Sequence, residues 1–540
     1  MTDFGTFDYI VIGGGAAGCV LANRLSADPD VSVLLLEAGN DERWIWTKIP
    51  IGYIYCINNP RTDWCYTTEP EPGLNGRSII YARGKGLGGC TLINGMLYLR
   101  GQAQDYDQWA ALTGDHQWRW DAVRPLFLGM EDFQGGENNH HRTGGEWRVE
   151  QQRLRWDILD RFAEAATQAG INPTDDFNQG DNQGVGMFHV NQKRGTRWSS
   201  VRGFIDPIRH RPNLKIVTGA LTDRLLMQGR KVTGVAFQQG NRACTASARL
   251  ETILSAGAIG SPAILQRSGI GDPALLRSLG VEVAHALPGV GQNLQDHLQL
   301  RSIYKLQGIN TLNTQVHSLW GKAMMGLEYA LFRRGPLSMA PSQLGAFAKS
   351  DPDIVSPDLE YHVQPLSLEK FGEPLHNFPA FTASICDLRP QSRGHVTIRD
   401  TDPHSAPRIA PCYLSHEADR IKAAKALRLT RKIVSQPALT PFQPVEYLPG
   451  AEFTTDEQLA YAAGKVGTTI FHPVGTCQMG RADDPMAVTD PSLRVRGIEG
   501  LRIADASIMP RITSGNTSSP TLMIAERAAH MIRADRLTRR

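Results

Sequence analysis

Asp8 to Ile12 (DYIVI) is a short apolar run that breaks into Gly13-Gly14-Gly15-Ala16-Ala17-Gly18. Such a run reads as a buried strand. Val20, Leu21 and Leu25 then fall on one face of a helix expected over 16–27, ended by Asp28-Pro29. Val31 to Leu36 is again almost wholly apolar and ends on Glu37, which predicts a second buried strand. Further along, 301–465 alternates in strand-like stretches such as His395 to Arg399, between proline-rich joins near Gly335-Pro336, Pro341 and Pro374. Two Ser-Pro pairs, Ser261-Pro262 and Ser519-Pro520, read as the cap and first residue of a helix, the second running past Glu526.

Composition narrows the field. A chain of 540 residues predicts two to four domains at roughly 100 to 200 residues each. With 41% apolar and 21% charged residues it reads as an ordinary folded protein, and its net charge of +3 excludes nucleic acid as a partner. The eight cysteines form no CxxC pair and read as reduced thiols. No metal site is expected. The first residues lack the features of a signal peptide, and no run of 18 apolar residues occurs, so a cytoplasmic location is expected. Arg533, Arg536, Arg539 and Arg540 can attract the inner face of an acidic membrane, which keeps peripheral association open, although a solvated tail is the commoner meaning of such a cluster.

The opening unit carries chemistry. Gly13, Gly15 and Gly18 form G-x-G-x-x-G between strand and helix, where glycines admit a pyrophosphate to the backbone and the helix N-terminus offers unpaired N–H groups. Glu37 follows at about 20 residues, the spacing at which a carboxylate accepts from a ribose. An acid there suits an unphosphorylated ribose, so FAD or NAD is favoured over NADP.

A second glycine-rich loop, Arg83 to Gly101 (RGKGLGGCTLINGMLYLRG), feeds an expected helix start, and Gly257 to Gly271 (GAIGSPAILQRSGIG) follows. Both resemble signature patterns of the glucose–methanol–choline (GMC) flavoprotein oxidoreductases. Asn75-Gly76-Arg77, Pro288 to His297 (PGVGQNLQDH), Ser392-Arg393-Gly394, His472 to Gly480 (HPVGTCQMG), and Asp505 to Pro510 (DASIMP) leading to Gly515-Asn516-Thr517 continue the match in order. Within the family the chain looks most like the choline-dehydrogenase and bacterial alcohol-dehydrogenase branch. The resemblance implies an α/β fold, α+β overall, with a doubly wound Rossmann-like FAD-binding domain (1–160, 206–300 and 466–540) and a substrate domain on a large antiparallel sheet (161–205 and 301–465). It implies that Gly13, Gly15, Gly18 and Glu37 bind the ADP half of FAD. Arg83, Gly88, Gly89, Asn94 and Met96 would line the pyrophosphate and flavin side, with Asp505 and Ala506 near the isoalloxazine.

The implied activity is oxidation of an alcohol, preferably primary, to an aldehyde, with electrons passed to a quinone-like carrier or dioxygen. Hydride removal needs a base beside the hydroxyl, and a neutral histidine serves near physiological pH. By resemblance that base is His472. Asn516, where relatives carry Asn or a second His, would position the alcohol, since an amide donates a hydrogen bond but is no base. Cys90 replaces a usual Ser, Ser518 a common Asn, and Ile93 stands where some choline-oxidising members attach FAD through histidine, so dissociable FAD is expected. Gln343, where many relatives carry Glu, tilts the reading away from choline. The aromatics Trp44, Trp46, Tyr53, Tyr55, Trp64 and Tyr66 read either as core or as part of the substrate entrance. Dehydrogenase is favoured over oxidase. Choline dehydrogenase and a flavin-containing hydroxynitrile lyase remain alternatives.

Overall fold

Val33–Leu36 buries all four side chains between two parallel neighbours, the pattern of a strand covered on both faces. In the computed structural model, which describes residues 2–317, 319–370 and 372–539, it belongs to a seven-stranded sheet. The order is Leu214–Val217, Val33–Leu36, Thr2–Ile12, Arg242–Leu254, Lys231–Gln239, Ala220–Gln228, with Leu501–Ile503 also paired to Arg242–Leu254. Contacts from Leu214–Val217 across to Leu501–Ile503 are parallel, and the last two strands return antiparallel.

The helix that follows the first glycine turn, α1 (Ala16–Leu25), packs against the C-terminal helix. Between these, α2 (Gly257–Arg267) departs from expectation, because Ser261 and Pro262 lie inside it rather than at its start. Its first N–H, that of Gly257, is capped from afar by Asp505 Oδ2 at 2.9 Å, and the Ser261 hydroxyl donates to the same oxygen at 2.6 Å. Pro262 has no N–H to give the Ala258 carbonyl. The Thr476 hydroxyl donates to that carbonyl instead, at 2.6 Å. Farther along lies α3 (Leu319–Phe332). The C-terminal helix α4 (Ser518–Arg539) starts one residue before the expected Ser519-Pro520 pair, so Pro520 sits in the first turn, where a missing N–H costs nothing. The second glycine loop, Arg83 to Gly101, holds a short turn, Gly89–Leu92, and a helix starts directly after it, Ala103–Thr113, as expected.

A second seven-stranded sheet is antiparallel throughout. Its order is Val445–Leu448, Leu298–Lys305, Ala380–Asp387, Leu359–Gln364, Leu344–Ala348, Gly184–Met187, with Gly467–Thr469 also on Leu298–Lys305. Each sheet has its own buried apolar cluster. The expected α/β organisation, a parallel-cored dinucleotide sheet beside a large antiparallel one, is thus present. All eight cysteines are free. The basic tail is partly committed, since Arg536 pairs with Asp28 at 2.7 Å, and Arg540 lies outside the described residues.

Buried charge also ties segments together. Arg100 and Glu131, both fully buried, meet at 2.8 Å, and Glu131 further accepts from the Arg142 N–H at 2.9 Å. Removing one member of a buried pair costs about 3–5 kcal/mol, and His141, 3.0 Å from Glu131, keeps the loss at the lower end. Arg100→Met is therefore expected to lower the melting temperature steeply. Arg161→Ala, which breaks an exposed pair with Glu164, should change stability by less than about 1 kcal/mol. Thermal unfolding of the two variants side by side checks this contrast.

Candidate active site

One elongated cavity is lined at one end by Gly13, Gly15, Glu37 and Gly89 and at the other by Asn94, Met96, His472, Ala506 and Asn516. At the glycine end two loops meet backbone to backbone. The Gly88 N–H donates to the Gly14 carbonyl at 2.7 Å, and a Cβ on Gly89 would stand 2.7 Å from the Gly15 Cα. A Cβ on Gly18 would fall 1.8 Å from the Gly13 oxygen, so α1 can approach the first strand only with glycine there. The N-terminus of α1 has neither a side-chain cap nor an acidic residue in its first turn, which leaves its N–H groups to the cavity.

Glu37 does more than the spacing suggested. Its carboxylate accepts from the N–H groups of Gly14 (2.8 Å), Gly39 (2.7 Å) and Gly86 (3.1 Å), so it clamps both glycine loops while still lining the cavity. Burial pushes its pKa up, against those three donors. Two glycine loops in contact and the uncapped N-terminus of α1 fit a pyrophosphate-bridged dinucleotide. A conjugated ring extending from it would reach the His472 end.

That end is built on a strained turn. Phe471 has φ +67°, a left-handed conformation that a bulky residue adopts only when its surroundings enforce it. Its N–H donates to Thr469 Oγ1 at 2.7 Å, and its carbonyl accepts from the Arg83 guanidinium at 2.6 Å. The next N–H, of His472, donates to Asp296 Oδ1 at 2.7 Å, while Asp296 Oδ2 accepts from the hydroxyls of Tyr413 and Thr469. The imidazole is thus presented from a fixed backbone.

Its tautomer follows from the partners. The Leu388 carbonyl can only accept, so His297 Nε2, at 3.2 Å, carries a hydrogen. Burial pushes the His297 pKa down despite Glu360 and Asp296 nearby, which leaves its Nδ1 as an acceptor. That atom lies 3.0 Å from His472 Nδ1, which must therefore donate. Burial first, then His297, His362 and Arg83, push the His472 pKa well below 6.5. A neutral His472 with its hydrogen on Nδ1 has an acceptor lone pair on Nε2, to which the Asn516 amide donates. The Asn516 amide nitrogen is 3.0 Å from that atom, and Asn516 Oδ1 is buried with no protein partner.

The other expected residues sort by what they touch. Asn94 Oδ1 accepts from the Met96 N–H at 3.1 Å and from Arg197 at 2.8 Å, and Met96 sits at φ +61°. Arg83 and Asp505 line the cavity while their polar groups hold the His472 turn and the α2 start. Tyr53, Trp64 and Tyr66 are in the wall, whereas Trp44 and Trp46 pack around Cys56, Leu92 and Ile93. Gln343 is fully buried outside the lining, with its amide on the Leu154 carbonyl, and so gives no information on the substrate. Sequence reasoning assigned no role to Asp296 or His297, although both end the Pro288–His297 motif, and it missed His362, a cavity-lining residue 3.1 Å from the buried Glu360.

The chain is similar to known proteins over nearly its whole length. Family models described as GMC oxidoreductase match residues 7–299 and 390–525. An oxygen-dependent choline dehydrogenase of Stenotrophomonas maltophilia (strain K279a) is 41% identical, covering 99% of this chain and 96% of that protein. One of the same description from Cronobacter sakazakii (strain ATCC BAA-894) is 42% identical over 98% and 95%. Among solved structures, pyridoxine 4-oxidase from Mesorbium loti superposes with TM-score 0.88 at 30% identity, covering 97% of this chain and 98% of that one. An FAD-dependent oxidoreductase from Chaetomium thermophilum gives TM-score 0.89 at 26% identity, over 98% and 100%.

The depressed His472 pKa has a signed consequence. A base with a lowered pKa stays neutral as pH falls through 6.5 and loses function only below its own pKa. The acid limb of kcat/KM is expected well below 6.5. His297→Phe, which removes the acceptor that fixes the tautomer, should lower kcat on the order of 10²-fold with little change in KM. Steady-state rates across pH for both proteins test this; an unchanged kcat in the variant would remove His297 as a positioning residue.

Proposed function

Because the chain belongs to the GMC oxidoreductase family, we propose that it oxidises a neutral primary alcohol, with His472 as the base and Asn516 as the group that positions the hydroxyl. The protein is an FAD-dependent oxidoreductase acting on CH–OH donors. FAD supplies the hydride acceptor. The observation that carries the residue assignment is the His472 Nε2 acceptor beside the Asn516 amide, 3.0 Å away, in the cavity that the glycine loops enter.

An alcohol hydroxyl that displaces the direct bond between these side chains would donate to His472 Nε2 and accept from Asn516 Nδ2. As the proton leaves for Nε2, negative charge grows on the oxygen. The Asn516 amide then strengthens its bond to that oxygen, and such preorganised donors act most strongly where charge develops. Neutral His297 takes no proton in this scheme; it keeps the His472 hydrogen on Nδ1. The apolar wall excludes water around the reacting carbon.

The wall favours a neutral substrate. Among the described lining residues the carboxylates are Glu37 and Asp505, both engaged with backbone N–H groups. Near His472 the lining holds the Arg83 guanidinium, and Gln299, Ser342 and Gln364 carry no charge. A quaternary ammonium would want a carboxylate or a free aromatic cage. The Trp64 ring already has the Lys85 ammonium 4.9 Å from its centroid. A choline substrate, which the relatives' description names, is thus disfavoured. Ile93, in the wall, offers no nucleophile, which supports dissociable FAD. The acceptor is a quinone-like carrier or dioxygen, and free cysteines suit a reducing compartment.

Anaerobic mixing of the yellow holoenzyme with a panel of primary alcohols tests the assignment. His472→Ala is expected to slow bleaching by roughly 10²–10⁴-fold, and Asn516→Ala by roughly 10²-fold. Bleaching by His472→Ala at near the wild-type rate would exclude it as the base. Acid precipitation is expected to release all the flavin into the supernatant, and colour kept in the pellet would overturn the noncovalent assignment.

A further inference from the structure

Away from the cavity, a second group of side chains has the composition of a metal site. His141, Asp176 and His189 each offer one ligand atom, and those atoms lie within 4.8 Å of one another. His141 Nε2 is 3.1 Å from Asp176 Oδ2, and His189 Nδ1 is 3.6 Å from Asp176 Oδ1. With bonds of about 2.0–2.1 Å, the ligand atoms of a tetrahedral zinc ion stand roughly 3.3 Å apart, between those two distances. None of these residues lines the cavity that His472 lines, which points to a structural ion rather than a catalytic one.

The surroundings prepare the donors. Glu131 Oε1 lies 3.0 Å from His141 Nδ1, and an ionised carboxylate can only accept, so that nitrogen carries hydrogen and Nε2 is turned to Asp176. A carboxylate behind an imidazole is the common outer partner of a metal-bound histidine, fixing its tautomer and ring direction. The ring also stacks on Phe133, with 3.8 Å between centroids. Arg100, paired with Glu131 at 2.8 Å, stands on the Nδ1 side and so behind the imidazole as seen from Asp176.

His189 is the second, independent signal. It is 5% exposed, yet its Nδ1 stands beyond hydrogen-bond length from Asp176, a carboxylate already engaged by His141 and by the Asn178 N–H at 2.9 Å. An ion pair of His141 with its two carboxylates has no use for another buried imidazole aimed at the same place. Burial pushes the His189 pKa down, which keeps the ring in the neutral form that a metal needs.

We infer that His141 Nε2, Asp176 and His189 Nδ1 bind one structural zinc ion, with water as the fourth ligand. Without the ion, His141 Nε2 carries the hydrogen that bonds Asp176; the ion takes its place, and the proton leaves to solvent. Bound there, zinc would join the turn 134–146, between the strands Glu131–Phe133 and Trp147–Val149, to the stretches on either side of Gly184–Met187, an edge strand of the antiparallel sheet. It would also brace the loop that carries Asn94 and Met96, because the Tyr98 N–H donates to the His189 carbonyl at 2.9 Å and the Asn191 N–H to the Met96 carbonyl at 2.7 Å. The inference goes beyond the alcohol reading and does not depend on it.

Metal analysis of the holoenzyme purified without chelator tests the inference, followed by titration of chelator-treated holoenzyme with zinc chloride and cobalt chloride. Zinc is expected in a one-to-one ratio with the chain. Chelator-treated protein should melt at a lower temperature and recover with added zinc. Cobalt should give the intense visible absorption of a tetrahedral site in the difference spectrum. His189→Ala should weaken zinc binding by more than the roughly 10–100-fold that loss of an outer partner costs, with flavin content and the rate of flavin reduction by alcohol unchanged. Holoenzyme that holds no zinc, and whose melting temperature responds to neither added ion, would overturn the inference. So would zinc bound as tightly by both His189→Ala and Asp176→Asn as by wild type, or a cobalt spectrum of octahedral type.

Discussion

A carbonyl oxygen can accept a hydrogen bond but never donate one, and at Leu388 that asymmetry decides the state of the site. Through His297 it places the hydrogen of His472 on Nδ1 and frees Nε2. A histidine exposed to water would exchange tautomers and take up protons near its ordinary pKa. Here both rings are buried and each has a defined neighbour, so the reactive lone pair is aimed before any substrate arrives. The rest of the site can be understood as what is needed to hold two imidazoles and a carboxamide in one line.

Holding them is a problem of chain connection, because the parts come from separate segments. Asp296, one residue before His297, takes the backbone N–H of His472 and the hydroxyls of Tyr413 and Thr469, so the two histidines cannot move apart independently. Arg83, from the second glycine loop, fixes the carbonyl of Phe471. Thr476 reaches α2 by filling the vacancy that Pro262 leaves in its hydrogen-bond ladder. A proline inside a helix thus becomes an attachment point between the cofactor-binding sheet and the histidine turn. The same economy is seen in Glu37, whose one carboxylate joins both glycine loops.

Local pattern made the first unit legible: apolar strands, a glycine turn and a helix ended by proline lie within one short stretch, and Ala16–Leu25 and Val33–Leu36 formed close to where periodicity put them. The family resemblance carried His472 and Asn516, which the structure brings together. The misreadings share one cause. Ser261-Pro262 has the chemistry of a cap, but the cap of α2 comes from Asp505, far along the chain, and nothing local announces it. Gln343 looked informative by position and is buried away from the cavity. His297 lay inside a quoted motif, yet its role depends on Leu388, whose carbonyl carries no signature at all.

Electrostatics connects the two ends of the cavity. The N-terminal residues of α1, α2 and α4 all line it, and each helix start carries roughly half a positive charge. Asp505 caps the start of α2 and so offsets its charge, whereas the first turns of α1 and α4 hold no acidic residue. A field of that sign favours a pyrophosphate at the glycine end and negative charge on oxygen beside Asn516 at the other. It opposes a proton on His472 in the resting site, in the same direction as burial, which is the larger effect. A permanently cationic substrate would enter against the field and find no free carboxylate, whereas a neutral alcohol enters without penalty and becomes favoured as its oxygen gains charge. On the proposed reading, the arrangement that accommodates the anionic cofactor also suits a neutral alcohol.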